Sequence, residues 1–365
     1  MKNSIIVILT NIFNKINGLF LLKLFKSKVN VNKINGLNEY PEKISNSIFS
    51  LSSNFPNNTQ LSIAIIQNEE VNYYGIITIN DTIKPIKNQD KVFEIGSLTK
   101  VFTSSVLATL VLEKKINLKD NINKYFSFKF NNDIKLNFQE LANHTSGLPR
   151  LPRNLNLIDN KNPYKNYGSK ALEEYLLKIV KLRDKKYLYS NLGAGLLGHT
   201  LGISQKKNFN ELLQEKIFNK FKMDNSCTSL KDIENKLVKG LDKKGNEVPN
   251  WEFDVLFGGG GILSTTEDLV KFVKANFDSK NKELELTRFP TFEVNDKMKI
   301  GLGWHIFKSI NNNNLFWHNG GTGGYSSQLL MDIEGKNAII ILSNVSEQKN
   351  KVEKLCLELK KIIGF

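Results

Sequence analysis

The order of strand-like and helix-like segments constrains the fold of this chain more than any other feature. Apolar runs typical of strands occur near both ends, at 61–66, 73–79, 301–307, 315–318, 325–331 and 338–342. Helical periods dominate the middle of the chain. This pattern predicts an α/β (α+β) fold, in which the N- and C-terminal segments build one antiparallel sheet flanked by helices. We expect a mostly helical lobe inserted at about 138–257, within a domain spanning 41–365.

Composition narrows the possible partners. The chain of 365 residues has a net charge of +15, but its lysines are scattered and no aromatic-basic motif of a nucleic-acid module is present. We therefore expect a solvated basic surface and no nucleic-acid partner. The two cysteines and four histidines show no metal-ligand spacing, so the sequence predicts no metal and no cofactor.

The first 40 residues look like a leader. Lys2 precedes the apolar run 5–9, and apolar residues on one helical stripe continue to Phe20. Lys15 and several asparagines argue against a clean membrane span. We expect an export signal or a membrane-proximal anchor that associates with a membrane surface. The alternative is a cytoplasmic chain with an apolar leader.

The strongest chemical signal is Ser97, which stands where a strand-like run meets a helix-like run. Lys100 follows three positions later, and residues at i and i+3 share one face of a helix. A serine hydroxyl needs a neighbouring base to act as a nucleophile, and a buried lysine can supply one. Taken alone this spacing is weak evidence, because a helix cap followed by a surface lysine would look the same.

Two further motifs strengthen the interpretation. Tyr189 and Asn191 precede a helix rich in small residues, and a phenol beside an ammonium would be stabilised as a phenolate that shuttles protons. The alternative is a buried packing tyrosine. His318 begins a glycine-rich strand end, where a substrate backbone can approach closely and where a backbone N–H can join that of Ser97 in holding an oxyanion. A flexible turn would be the simpler explanation.

Together the three motifs resemble those of the serine beta-lactamase and penicillin-binding-protein superfamily, and most closely its class C beta-lactamase-related branch. They are Ser97-Leu98-Thr99-Lys100, Tyr189-Ser190-Asn191 and His318-Asn319-Gly320. The segments 141–149 and 258–265 add to the resemblance, which extends from Leu61 to the C-terminus. The implied fold is beta-lactamase/transpeptidase-like.

The resemblance also implies roles for individual residues. Ser97 would be the acyl-enzyme nucleophile, Lys100 its proton acceptor and Tyr189 the general base and acid. The residues implied in substrate binding are Asn191, His318, Asn319 and Gly320, and the backbone N–H groups implied in the oxyanion hole are those of Ser97 and Gly321. His144 matches a histidine that holds a loop rather than taking part in chemistry.

One departure from the family pattern bears on substrate choice. The third motif has His318 where dedicated class C lactamases have lysine, and a histidine is only partly charged near pH 7, so it would hold a substrate carboxylate less firmly. We expect a serine acyl hydrolase that acts through a covalent acyl-enzyme on beta-lactams or D-Ala-D-Ala-type peptides. The alternatives are an esterase for small esters and a penicillin or muropeptide sensor that does not turn over. The expected location is periplasmic, extracellular or membrane-associated, in a bacterial cell envelope.

Overall fold

The computed structural model describes residues 33–34, 36–157, 161–233, 235–346 and 348–365. Its main feature is a ten-stranded sheet in the order β1-β4-β3-β2-β12-β11-β10-β9-β8-β7, and every neighbouring pair except β1–β4 is antiparallel. The strands of this sheet are β1 Lys33–Ile34, β2 Gln60–Gln67, β3 Glu70–Ile79, β4 Thr82–Pro85, β7 Phe292–Asn295, β8 Met298–Ile300, β9 His305–Lys308, β10 Asn314–Gly321, β11 Ser326–Asp332 and β12 Asn337–Ser343. A separate pair joins β5 Phe93–Glu94 to β6 Leu263–Ser264.

The centre of the sheet joins the two ends of the chain. β2, from the N-terminal part, pairs with β12, from the C-terminal part, so the predicted sheet built from both termini is confirmed. These central strands are apolar and buried on both faces, as expected for strands covered on two sides by helices. The sequence analysis did not predict β4, β7 or β8, which are short and alternate buried with exposed residues.

Helices cover both faces of the sheet. α1 and α9 pack together on one face around Ile48, Leu355 and Leu359, while α2 and α7 belong to the larger core on the other face. The helices are α1 Glu42–Ser52, α2 Thr99–Leu112, α3 Phe138–Ala142, α4 Ser169–Glu174, α5 Asn191–Gln205, α6 Phe209–Leu213, α7 Thr266–Phe277, α8 Lys282–Arg288 and α9 Lys349–Ile363. Four of them, α3 to α6, lie in the predicted lobe at 138–257, together with π-helical segments at Tyr175–Ile179 and Gln214–Phe218 and the loops that connect them.

α2 runs through the middle of this larger core. All but its last two residues are buried, as expected for a helix that other elements enclose on every side. A short 3-10 turn, Gly96–Leu98, leads from β5 directly into α2. Ser97 therefore stands at the entry to the helix, and Lys100 lies one turn further on inside the core.

The fold includes residues before 41. β1 pairs with β4, and the Tyr40 hydroxyl donates a hydrogen bond to the carbonyl of Gly75 at 2.6 Å. The leader predicted over 1–40 lies largely outside the described residues, and the division at 40 stays a prediction. Among the helices that the structure describes, none has the length and apolar character needed to span a membrane.

Candidate active site

Ser97 and Lys100 are in direct contact. The buried Lys100 Nζ donates a hydrogen bond to Ser97 Oγ at 2.9 Å. It also donates to Asn191 Oδ1 at 2.9 Å and to the carbonyl of Gly259 at 2.7 Å. These three contacts match the three N–H groups that a protonated lysine presents, and they place the amine directly beside the serine oxygen.

Tyr189 joins the same pair. Its phenol shares a hydrogen bond with the Ser97 hydroxyl, and Lys100 Nζ lies 4.9 Å from the centre of its ring. Burial raises the pKa of the phenol above its usual value of 10, against the opposing influence of the Ser97 hydrogen bond and of the Arg150 charge. The sequence analysis predicted a phenolate. The structure instead favours a neutral phenol, because burial penalises the anion more than the Ser97 hydrogen bond and the Arg150 charge stabilise it.

His318 lies behind this group and is only 1% exposed. Its Nδ1 is 2.7 Å from the carbonyl oxygen of Asn319, and its ring centre is 6.1 Å from that of Tyr189. Burial, together with nearby His305 and Lys100, holds the pKa of His318 well below its usual range, so the ring is neutral at pH 7. This corrects the expectation of a partly charged histidine that would grip a carboxylate.

The end of β10 forms one wall of the site. β9 pairs with β10 only from Asn314 to Trp317, and β10 then continues to Gly321. The backbone groups of this continuation can pair with an extended ligand. A methyl group at Gly320 would lie 2.1 Å from the carbonyl oxygen of Ile95 and 3.0 Å from the amide nitrogen of Ser97, so glycine is required for this close approach.

The predicted oxyanion hole is consistent with this packing. Ser97 and Gly321 both line the cleft, and a methyl group at the intervening Gly96 would lie 2.7 Å from the amide nitrogen of Gly321. The two backbone segments thus lie side by side at the cleft. Gly96 has a φ of 50°, a conformation that glycine adopts at little cost.

Asn319 departs from its predicted role. Side chains alternate between faces along a strand, so Asn319 shares a face with Leu315 and Trp317, which pack against the α1–α9 core. Its cross-strand partner is Gln328, on the same face. The Asn319 side chain therefore points away from His318 and the cleft, and only its backbone remains a candidate for substrate binding.

Asn191 lines the cleft as predicted, but both ends of its amide are already engaged. Oδ1 accepts from Lys100, and Nδ2 donates to the Tyr164 hydroxyl at 3.1 Å. Tyr164 in turn stacks on Phe253, with ring centres 4.5 Å apart. Asn191 thus links the lysine to an aromatic wall that includes Trp251 and faces Ser97 across the cleft.

His144 fixes Tyr189 from two sides. Its carbonyl accepts from the amide of Leu188 at 2.8 Å, and its Nδ1 accepts from the amide of Ser190 at 3.2 Å. Its ring centre lies 4.6 Å from that of Tyr189. These contacts support the predicted structural role, because they hold the residues on both sides of the tyrosine.

Sequence reasoning missed several residues of the site. Gly259 supplies the third acceptor for Lys100, Tyr164 and Trp251 form the wall, and the Arg150 guanidinium lies 5.2 Å from the centre of the Tyr189 ring. Arg150 follows the segment 141–149 that carries part of the family resemblance. Its place directly after this segment was the only signal in the sequence that pointed to Arg150.

Comparison with known proteins points to one family. The family model for "Beta-lactamase" matches residues 58–355. A beta-lactamase of Pseudomonas fluorescens is 26% identical over 259 residues, covering 68% of this chain and 69% of the relative, and beta-lactamase-like protein 4 of Dictyostelium discoideum is 29% identical over 295 residues, covering 70% and 51%. The chain thus spans about two thirds of the first relative and half of the second.

The fold comparison gives the same result. A crystal structure titled beta-lactamase/D-alanine carboxypeptidase, from Pseudomonas syringae, superimposes with a TM-score of 0.73 at 19% identity, covering 87% of this chain and 98% of that one. Since the family model covers most of the chain and the fold agrees, the chain belongs to the beta-lactamase family of serine hydrolases.

Proposed function

We propose that this protein is a serine acyl hydrolase that works through a covalent acyl-enzyme on beta-lactams or D-Ala-D-Ala-type peptides. One observation carries the proposal: Ser97 Oγ is held at once by the Lys100 ammonium, at 2.9 Å, and by the Tyr189 phenol. The oxygen accepts from Lys100, so its own hydrogen is free to be donated to Tyr189. This arrangement gives the serine proton a path away from the nucleophile.

The first half of the reaction uses this path. As Ser97 Oγ bonds to the substrate carbonyl carbon, its proton passes to the Tyr189 oxygen while the phenol proton passes to the leaving nitrogen. The C–N bond breaks, and no phenolate needs to accumulate, in agreement with the raised pKa of Tyr189. Lys100 stabilises the negative charge that develops on Oγ. In this scheme Tyr189 takes the serine proton, whereas the family resemblance implies Lys100 for that step.

The backbone N–H groups of Ser97 and Gly321 would receive the carbonyl oxygen as it becomes negative, a contribution of about 2.7–4 kcal/mol for each donor in comparable enzymes. In the second half, a water molecule attacks the ester. Its proton passes through Tyr189 to Ser97, which restores the resting site.

Hydrolysis of small esters is the second candidate. The observation that favours it is the neutral, buried His318, which leaves β10 without the positive charge that would hold a carboxylate. Esters use the same serine, lysine and tyrosine, so the two candidates differ only in what lies beside the leaving group.

The proposed location follows from the proposed substrates. Muropeptides occur in the bacterial cell envelope, so we propose a periplasmic or extracellular protein, with membrane-surface association through the segment 1–40. Fractionation of cells that express the full chain tests this, and recovery of the whole protein in the cytosol would contradict it.

Mass spectrometry tests the function directly. Incubation with benzylpenicillin, a D-Ala-D-Ala peptide and p-nitrophenyl butyrate should give adducts on Ser97, and Ser97→Ala should give none. Ser105→Ala is the matched control, because Ser105 lies on α2 with its hydroxyl bonded to the carbonyl of Val101 at 2.9 Å. Equal labelling of wild type and Ser97→Ala would refute the assignment.

A further inference from the structure

A substrate carboxylate needs a positive charge near the leaving group, and the strand that should supply it does not. In beta-lactams and in D-Ala-D-Ala peptides, the carboxylate is attached to the carbon that is bonded to the leaving nitrogen. Its carbon is thus about 2.5 Å from that nitrogen. The group that protonates the nitrogen is Tyr189 in the proposed reaction, so the carboxylate must lie beside Tyr189.

Two candidate cations in this region are excluded by their surroundings. His318 is buried and neutral. Lys100 is buried as well, at 2% exposure, and its three N–H groups are committed to Ser97, Asn191 and Gly259. Neither side chain can turn toward a carboxylate at the mouth of the cleft without losing these contacts.

Arg150 has the required position. Its guanidinium lies 5.2 Å from the centre of the Tyr189 ring, and its charge acts on both Tyr189 and Tyr164. The side chain is exposed. In the ranges that the structure describes, no aspartate or glutamate forms an ion pair with it.

The backbone of Arg150 is held at the site, so its side chain starts beside the residues that it is proposed to serve. Its carbonyl accepts from the amides of Asn191, at 3.0 Å, and of Leu192, at 3.1 Å, at the start of α5. These contacts tie Arg150 to the same helix end that positions Tyr189 and Asn191. A guanidinium presents paired N–H donors that match the two oxygens of a carboxylate.

We propose that Arg150 recognises the carboxylate on the leaving-group side of the substrate, in place of the basic residue of the third motif. The proposal rests on the proposed function, and it favours carboxylate-bearing amides over neutral esters. The competing role for Arg150 is packing over the Tyr189 ring, a cation–π contact that would support the tyrosine whatever the substrate.

Matched substrates separate these roles. Benzylpenicillin and its methyl ester differ only in the carboxylate, so the ratio of their acylation rates reports on its recognition. Arg150→Gln should lower this ratio about tenfold, the usual scale for a hydrogen bond to a charged group. Arg150→Lys should retain part of the preference for the acid over the ester, and this preference should weaken as the salt concentration rises.

Arg153→Gln is the control for charge. It removes the same charge three residues away, on an exposed side chain whose charge acts on Tyr175 rather than on Tyr189. For this variant, the ratio of the acylation rates with benzylpenicillin and its methyl ester should equal that of wild type. If Arg150→Gln slows both compounds equally, Arg150 only supports Tyr189 and the proposal is wrong, and an unchanged ratio overturns it as well.

A binding measurement keeps this test separate from that of the proposed function. Calorimetry with Ser97→Ala protein compares the affinities for the acid and the ester, with and without Arg150→Gln, and needs no acylation. Absence of adducts on wild-type protein would refute the hydrolase, whereas a preference for the acid that vanishes in Arg150→Gln would still support Arg150 as a carboxylate site. Equal affinity for acid and ester in the Ser97→Ala protein would refute it.

Discussion

Replacing Gly320 by alanine should damage the site through backbone packing alone. The added methyl group would lie 2.1 Å from the carbonyl oxygen of Ile95, 2.4 Å from Ser327 Oγ and 3.0 Å from the amide nitrogen of Ser97. Real contacts of a Cβ atom are at least 3.0 Å, so β10 must move away from the serine turn by close to 1 Å. The carbonyl of Ile95 cannot yield easily, because it already accepts the Ser327 hydroxyl at 2.8 Å.

Two effects follow from this shift. Overpacking costs about 1–3 kcal/mol, which corresponds to a melting temperature lower by roughly 1–5 °C for a domain of this size. The shift also moves the amide of Gly321 away from that of Ser97. Loss of one oxyanion donor costs about 10²–10³ in rate, so a partial displacement should slow acylation at least about tenfold.

The assay combines thermal unfolding with the rate of acylation by a fluorescent penicillin. Gly321→Ala is the control for stability, because a methyl group there would meet only the carbonyl oxygen of Tyr325, at 3.8 Å. Its stability should stay within about 0.5 kcal/mol of wild type. A Gly320→Ala protein that melts and acylates like wild type would show that the two backbones are not in contact as described.

Two further predictions concern buried acids. Since burial raises the pKa of Tyr189, the absorbance difference between wild type and Tyr189→Phe should show no tyrosinate below pH 10, and a signal near pH 7 would restore the phenolate interpretation. Burial also raises the pKa of Glu94 above 4.5. Its contribution to the free energy of unfolding is therefore fully present below the pKa that Glu94 has in the unfolded chain, and it is lost as the pH rises through the higher pKa of the folded protein. Glu94→Gln keeps the acceptor for Asn250 but cannot ionise. In urea titrations, its unfolding free energy minus that of wild type should therefore be larger at pH 8 than at pH 4. An equal difference at both pH values would contradict the reasoning.

The parts of the fold that the sequence predicted are those whose burial dominates their composition. β2, β12 and α2 are almost wholly buried, so their apolar residues report directly on the core. The edge hairpin of β7 and β8 was missed, because its charged and apolar residues alternate over very few positions. The predicted strand at 301–307 begins only at His305, since the amide of Gly301 turns back to the carbonyl of Trp304.

The residues of the site could be predicted because the spacing of a motif fixes which of its side chains are neighbours on a helix or strand. Ser97 and Lys100 share a helix face at any depth in the protein, so their contact needs only the helix. The charge on Tyr189 and on His318 could not be predicted in the same way. Each depends on how many groups from distant segments enclose the ring, and that enclosure decides whether the charged form is stable.

The same reasoning explains how the carboxylate contact can move from one segment to another. A lysine in the third motif would act through its positive charge near the leaving nitrogen. Its location on β10 matters only because that strand places the charge there. Here burial makes His318 neutral, while the carbonyl of Arg150, bonded to the start of α5, anchors a guanidinium near the same tyrosine. Substrate selection in this protein should therefore follow Arg150 rather than the residue that occupies the third motif.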